Sequence, residues 1–332
     1  MAQSAGNVRP VIDGDRCVHA LAAQASCRRC ASACPHVALN LTDQSLEFDE
    51  EACTGCGHCR PACPEAAISF PEVSLSPVVD KEAGEAHLAC TVAIPEGGAG
   101  TVPCLHAVGE RDVTRWANDG VTRLNVSRGQ CANCAHRAAV AIEDHVRAVN
   151  QLRMSRGQRL LELADETPPS WRQRVASTSA QGRKLDSSRR ALFAGLFKQP
   201  AAALPKAALD AMARFAPRFD AAACTGCDAC ARICPHGAIS LSHDEHGLHY
   251  ATAPHACTGC GLCTDLCQDS AIRVEAFALA GPMRVALIEY RCTRCGVPFH
   301  EPEGASARAA GDVRCRICRT HCHPAKLFEV RS

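Results

Sequence analysis

The chain has 332 residues, with 36 Lys or Arg against 35 Asp or Glu, so no global field directs it to nucleic acid or to a membrane surface. That length suggests two or three domains, yet aromatics make up only 4% of it, thin material for a conventional core. Cysteine is abundant instead, at 25 residues, an odd number that disulfides within one chain cannot pair completely. The first residues, MAQSAGNVRPVIDGDRC, lack the apolar stretch of a secretory signal, and no apolar run reaches membrane-spanning length. A cytoplasmic location is therefore expected, where thiols stay reduced and cysteine clusters bind metal.

In chain order, residues 17–35 read CVHALAAQASCRRCASACP. Cys27, Cys30 and Cys34 are spaced C-x2-C-x3-C with Pro35 following, but Gln24 stands where a first cysteine belongs, and Cys17 comes seven residues too early. Residues 53–64, CTGCGHCRPACP, carry the complete pattern C-x2-C-x2-C-x3-C-P. It returns in CTGCDACARICP at 224–235 and, with Gln268 replacing the proline, in CTGCGLCTDLCQ at 257–268. Short apolar segments follow the four runs (HVALNL, EAAISF, HGAISL, DSAIRV), and each is expected to form a strand. The runs thus make two tandem pairs, at about 10–75 and 216–275.

Between the pairs, residues 76–135 read as strand, strand, helix, strand and a loop with C-x2-C. Cys90 and Cys104 fall near strand ends, and Cys131 and Cys134 fall in the loop. Such a small α/β unit can gather all four as a metal site, or it holds two buried structural cysteines beside an incidental pair. A helical and basic linker is expected over 136–215, with Val140, Val146, Val149 and Leu152 at helical intervals and an interruption near Gly157. From Trp171 to Gln199 the chain has seven Lys or Arg against one Asp, a candidate docking segment for an acidic partner. Within it, Ser188 to Phe193 (SRRALF) is similar to a twin-arginine export pattern. At mid-chain it is either an ordinary basic linker or a remnant of fusion.

Beyond the second pair, Cys292, Cys295, Cys315, Cys318 and Cys322 read as C-x2-C, nineteen residues, then C-x2-C-x3-C. Paired C-x2-C arms suggest a zinc-ribbon-like unit over 283–332, held by Cys292, Cys295, Cys315 and Cys318. Iron in a rubredoxin-like variant, or a further cluster through Cys322, stays open.

On these motifs, residues 10–75 and 216–275 resemble two bacterial-type 2[4Fe-4S] ferredoxin modules. The chain is similar to polyferredoxins of the nitrate-reductase accessory and formate-dehydrogenase-associated kinds. The resemblance implies an α+β fold class, with two ferredoxin-like modules (10–75 and 216–280) around the α/β unit and linker. It also implies that the fourth cysteine of each run ligates the other cluster of its pair. The implied sets are Cys17, Cys27, Cys30 and Cys63; Cys34, Cys53, Cys56 and Cys59; Cys224, Cys227, Cys230 and Cys267; and Cys234, Cys257, Cys260 and Cys263. The middle unit looks distantly like small [2Fe-2S] subunits of hydrogenase complexes, which implies a further Fe–S cluster or metal on Cys90, Cys104, Cys131 and Cys134.

The function so implied is one-electron relay through four [4Fe-4S] clusters to or from a partner oxidoreductase. The alternative is an accessory or maturation factor for a molybdenum or tungsten oxidoreductase. Neither a dinucleotide-binding G-x-G-x-x-G nor a P-loop is found, so an electron carrier or oxidoreductase subunit is expected rather than a catalyst. No nucleic-acid partner is expected, because the C-terminal arginines are not joined by an aromatic stacking face. His36 and His236, just after the C-P endings, read as surface or supporting groups, not as ligands.

Overall fold

The structure, a computed structural model, describes residues 9–41, 46–71, 73–182, 211–304 and 313–320. The SRRALF pattern and Cys322 lie outside the described residues. The chain divides into two compact units, one of residues 1–23 with 27–208, the other of 24–26 with 209–332.

The first unit opens with β1 (Val11–Ile12), α1 (Val18–Leu21), α2 (Arg29–Ala33), β2 (Leu39–Leu41), β3 (Leu46–Phe48), α3 (Cys59–Ala62) and β4 (Ile68–Ser69). β1 pairs antiparallel with β4, and β2 with β3. The segments after the two runs thus become strands, as their apolar pattern predicts. α2 and α3 are single turns just before the fourth cysteine, and the Pro35 and Pro64 that follow that cysteine cannot continue a helix. The core here is small: Leu39, Ile68 and Phe70 with Cys30 and Cys59, flanked by Ile12, Leu46 and Phe48. So little apolar burial leaves much of the stabilisation to metal–thiolate bonds.

The rest of this unit has a much larger core. It comprises β5 (Val78–Asp80), β6 (Glu85–Cys90), β7 (Thr101–Val102), α4 (Glu110–Asn118), β8 (Arg123–Ser127), α5 (Ile142–Ser155), β9 (Glu162–Asp165) and α6 (Pro168–Gly182). The sheet runs β5-β6-β8-β9, parallel except at β5, and β7 lies parallel beside the end of β6. Parallel neighbours need crossovers, which α4 and α5 supply. α4 buries Val113, Trp116 and Ala117, and α5 buries Ile142, Val146 and Val149, against Leu88, Leu124 and Val126 of the sheet. Both tryptophans of the chain, Trp116 and Trp171, are buried here. Residues 136–182 are therefore part of the α/β unit and not a linker. β9 completes the sheet although ELAD carries no alternation that would announce a strand.

The second unit begins with β10 (Met212–Phe219), α7 (Ala229–Ile233), β11 (Ile239–Asp244), β12 (Gly247–Thr252), α8 (Leu262–Asp265) and β13 (Ile272–Leu279). β10 and β13 pair antiparallel from Met212 opposite Leu279 to Phe219 opposite Ile272. Then β14 (Arg284–Arg291) adds to the β11–β12 hairpin, β15 (Pro298–Pro302) adds to β14, and α9 (Arg316–Thr320) follows. Val285 and Leu287 of β14 share a core with Phe219, Ile239, Tyr250 and Ile272. The C-terminal cysteine region is thus an extension of the second module's sheet, where a separate ribbon was expected. Among the described residues, no helix is long and apolar enough to cross a membrane.

Candidate metal centres

One local geometry recurs after every cysteine run. Cys34, Cys63, Cys234 and Cys267 each accept the N–H of the residue four positions on at sulfur, from Ala38 (3.4 Å), Ala67 (3.3 Å), Ala238 (3.2 Å) and Ala271 (3.2 Å). The residue between, Val37, Ala66, Gly237 or Ser270, takes a left-handed φ of 50–62°, and its N–H donates to the carbonyl of the same cysteine. For β-branched Val37 that conformation is costly, and such strain persists where the surroundings demand it. An N–H aimed at sulfur favours the thiolate, the form that binds metal.

Within each set the thiols stand close, and several are buried. Burial pushes Cys30 up to about 11, and the nearby Cys63, Cys27 and Cys17 sulfurs add to it. Burial also raises Cys59, with Cys56, Cys34, Cys30 and Cys53 contributing in that order. In the second module, burial drives Cys230 to about 12, helped by Cys224, Cys227 and Cys267. Cys263 rises equally, by burial and then by Cys260, Cys257, Cys230 and Cys234. Three cavities collect these groups: Cys34, Cys53, Cys56 and Cys59 line one, Cys224, Cys227, Cys230 and Cys267 another, and Cys234, Cys257, Cys260 and Cys263 a third. Crowded thiols that repel one another as thiolates fit a site whose missing charge is iron.

The irregular first run departs at its entrance only. After the second cysteine, Gly57, Asp228 and Gly261 take left-handed φ values, whereas Arg28, the corresponding residue, has φ −124°. Cys17 nevertheless lies beside its expected partners: burial raises its thiol, and Cys63 and Cys27 raise it further. α1 turns the chain just after Cys17, and the His19 ring reaches the Cys27 carbonyl with Nε2 at 2.8 Å, closing the detour.

The run holding Cys53, Cys56 and Cys59 rests on the α/β unit. Arg60 donates to both carboxylate oxygens of buried Asp112, at 2.6 and 2.9 Å. Burial would raise the Asp112 carboxyl, but the Arg60 guanidinium holds it below the usual range. His58 is buried and places Nε2 3.2 Å from Cys104 Sγ, while its Nδ1 has no partner. Desolvation, with His106, His136 and His36 adding, brings its pKa down to about 4, so the ring is neutral. His36 contacts His136 at 3.2 Å, and with Cys56 these two form a group whose ligand atoms all lie within 4.8 Å. Sequence gave no sign of this grouping, since His136 is a hundred residues from His36.

Cys90, Cys104, Cys131 and Cys134 line a single cavity with Val92, Leu105 and His106. Burial takes Cys104 to about 12, and Cys56, Cys90 and Cys134 are near enough to raise it too. The C-terminal four, Cys292, Cys295, Cys315 and Cys318, have sulfurs all within 4.8 Å of one another, with Cys295 and Cys315 at 3.8 Å. Burial works to raise the Cys292 thiol, but the N–H groups of Cys295, Cys315 and Arg294 outweigh it and hold it below the usual thiol range. This compact cysteine cluster fits a metal site. Each of the 24 described cysteines is free of a disulfide.

Residues 223–272 match the 4Fe-4S dicluster domain family, and residues 46–69 match the 4Fe-4S binding domain family. No curated protein matches the chain. Two 4Fe-4S ferredoxin-type domains are therefore present, implying at least two 4Fe-4S clusters and supporting an iron–sulfur electron-transfer role.

Proposed function

We propose that the chain is a cytoplasmic electron-transfer protein with four [4Fe-4S] clusters, two in each module, serving a partner oxidoreductase. Cys17, Cys27, Cys30 and Cys63 hold one cluster and Cys34, Cys53, Cys56 and Cys59 its neighbour. Cys224, Cys227, Cys230 and Cys267 hold the third, and Cys234, Cys257, Cys260 and Cys263 the fourth. The observation that carries this reading is the N–H-to-sulfur turn, repeated after all four runs, the irregular one included. When bound, the clusters supply one-electron transfer. The residues fix four sulfurs per site, direct amides at them and surround them with apolar side chains that keep water out.

Cys292, Cys295, Cys315 and Cys318 hold one zinc ion. A tetrahedral site with Zn–S bonds of about 2.3 Å has sulfurs about 3.8 Å apart, the separation of Cys295 and Cys315. Four thiolates leave no open coordination position, so the ion is structural and ties α9 to β14 and β15.

A second reading is an accessory factor for a molybdenum or tungsten oxidoreductase of the nitrate-reductase or formate-dehydrogenase type, favoured by the arginine pair in SRRALF. Anaerobic metal and sulfide analysis with Mössbauer spectra tests the shared core of both readings. At least about sixteen cubane irons with one zinc is expected, and about twelve irons would leave one ferredoxin site dead. An electron carrier then stays with the active enzyme, while a maturation factor binds the apoenzyme and leaves.

A further inference from the structure

The α/β unit directs four cysteines from three separate places to one end of its sheet. Cys90 ends β6, Cys104 follows β7, and Cys131 and Cys134 bracket the turn after β8. In a parallel sheet the crevice at the carboxyl ends of the strands is where ligands bind, and these cysteines sit there. The cavity they line is similar in size to the three lined by ferredoxin cysteines. Its remaining walls are largely apolar, from Val92, Pro103 and Leu105.

Two simpler explanations fit less well. A structural role accounts for Cys90, which packs in the core of the α/β unit, but not for the half-buried Cys131 and Cys134, which line the same cavity as Cys90 and Cys104. A single ion needs sulfurs about 3.8 Å apart. Among the described residues, the cysteine group gathered to within 4.8 Å is the C-terminal one, and the middle four are spaced more widely, as the ferredoxin groups are.

We propose that Cys90, Cys104, Cys131 and Cys134 hold a fifth iron–sulfur cluster, of cubane size, beside the cluster on Cys34, Cys53, Cys56 and Cys59. His58 joins the two sites: it stands next to Cys59 in the chain and its Nε2 meets Cys104 Sγ. The close packing of Gly57 on Ala107, where an added Cβ would come within 2.8 Å, fixes the same approach. The first unit thereby carries three clusters, one more than its ferredoxin module accounts for.

The test is the full-length double variant Cys131→Ser/Cys134→Ser, reconstituted anaerobically beside the wild type and Cys224→Ala. The two exchanged cysteines are only half-buried and lie in a surface turn outside the core of the α/β unit, so the unit keeps its fold. The double variant is expected to lose about four irons with equal sulfide and to keep the other cluster signals. A loss of about two irons would overturn the cubane assignment in favour of a [2Fe-2S] centre. Iron and sulfide equal to wild type, or loss of zinc in place of iron, would overturn the proposal. Flat iron in Cys224→Ala would instead count against the four-cluster reading. Wild-type Mössbauer spectra give a check that does not depend on any variant folding: area beyond four cubanes supports the site, and its absence overturns it.

Discussion

The two ferredoxin modules share the same cysteine turn but brace it differently. In the first, the run at Cys53–Cys63 leans on the α/β unit through Arg60–Asp112 and His58–Cys104. In the second, the run at Cys224–Cys234 leans on the C-terminal hairpin. There Asp228 accepts hydrogen bonds from Tyr250 (2.6 Å) and lies 2.8 Å from His300 Nε2. A Cβ at Gly226 would fall 2.2 Å from the His300 carbonyl oxygen. A turn built for thiolates can therefore be repeated almost unchanged, while the neighbouring structure decides which side of the module is covered. The first module is covered by cysteine-bearing structure beside one of its cysteine runs, and the second by a sheet extension leading to the compact C-terminal cysteine group.

The largest expected effect separates the modules from the α/β unit. Removing iron with a chelator should unfold both modules, whose cores are smaller and partly built of cysteines, and leave residues of about 76–182 folded around the core of Leu88, Trp116, Leu124 and Ile142. Limited proteolysis of the apoprotein should release that fragment; uniform digestion would break the distinction. Smaller effects come from the two braces. Gly226→Ala, with φ +70° and no room against β15, should cost about 3 kcal/mol, seen as a lower melting temperature and loss of cluster from the second module alone. Asp112→Asn leaves Arg60 half-exposed and partly able to rehydrate, so about 2 kcal/mol is expected, confined to the first module. Equal effects of both substitutions on both modules would show that the braces are not local.

Much of this was legible in cysteine spacing, because ligand chemistry constrains both interval and turn. The three regular runs announce themselves, as does the pair of C-x2-C arms at the C-terminus. What spacing does not carry is contact between distant segments. The His19–Cys27 bond that closes the long first interval, and the meeting of His58 with Cys104, follow from packing. β9 was invisible because its short, polar ELAD is held by pairing with β8 and not by its own pattern. The same holds for β14: RVALIEYR carries a short apolar run, but nothing local shows that it joins the β11–β12 hairpin.

The irregular entrance at Cys17 is where the two modules differ most and where the four-cluster account is most exposed. Cys17→Ala and Cys224→Ala replace the first ligand of an irregular and a regular run. Iron and sulfide per chain, measured after anaerobic reconstitution, should fall in both, by one iron if a three-iron cluster survives and by about four if the cluster is lost. The spectrum of the cluster on Cys34, Cys53, Cys56 and Cys59 should persist in Cys17→Ala. Unchanged iron in Cys17→Ala, beside a clear loss in Cys224→Ala, would contradict the account and leave Cys63 without a cluster to hold.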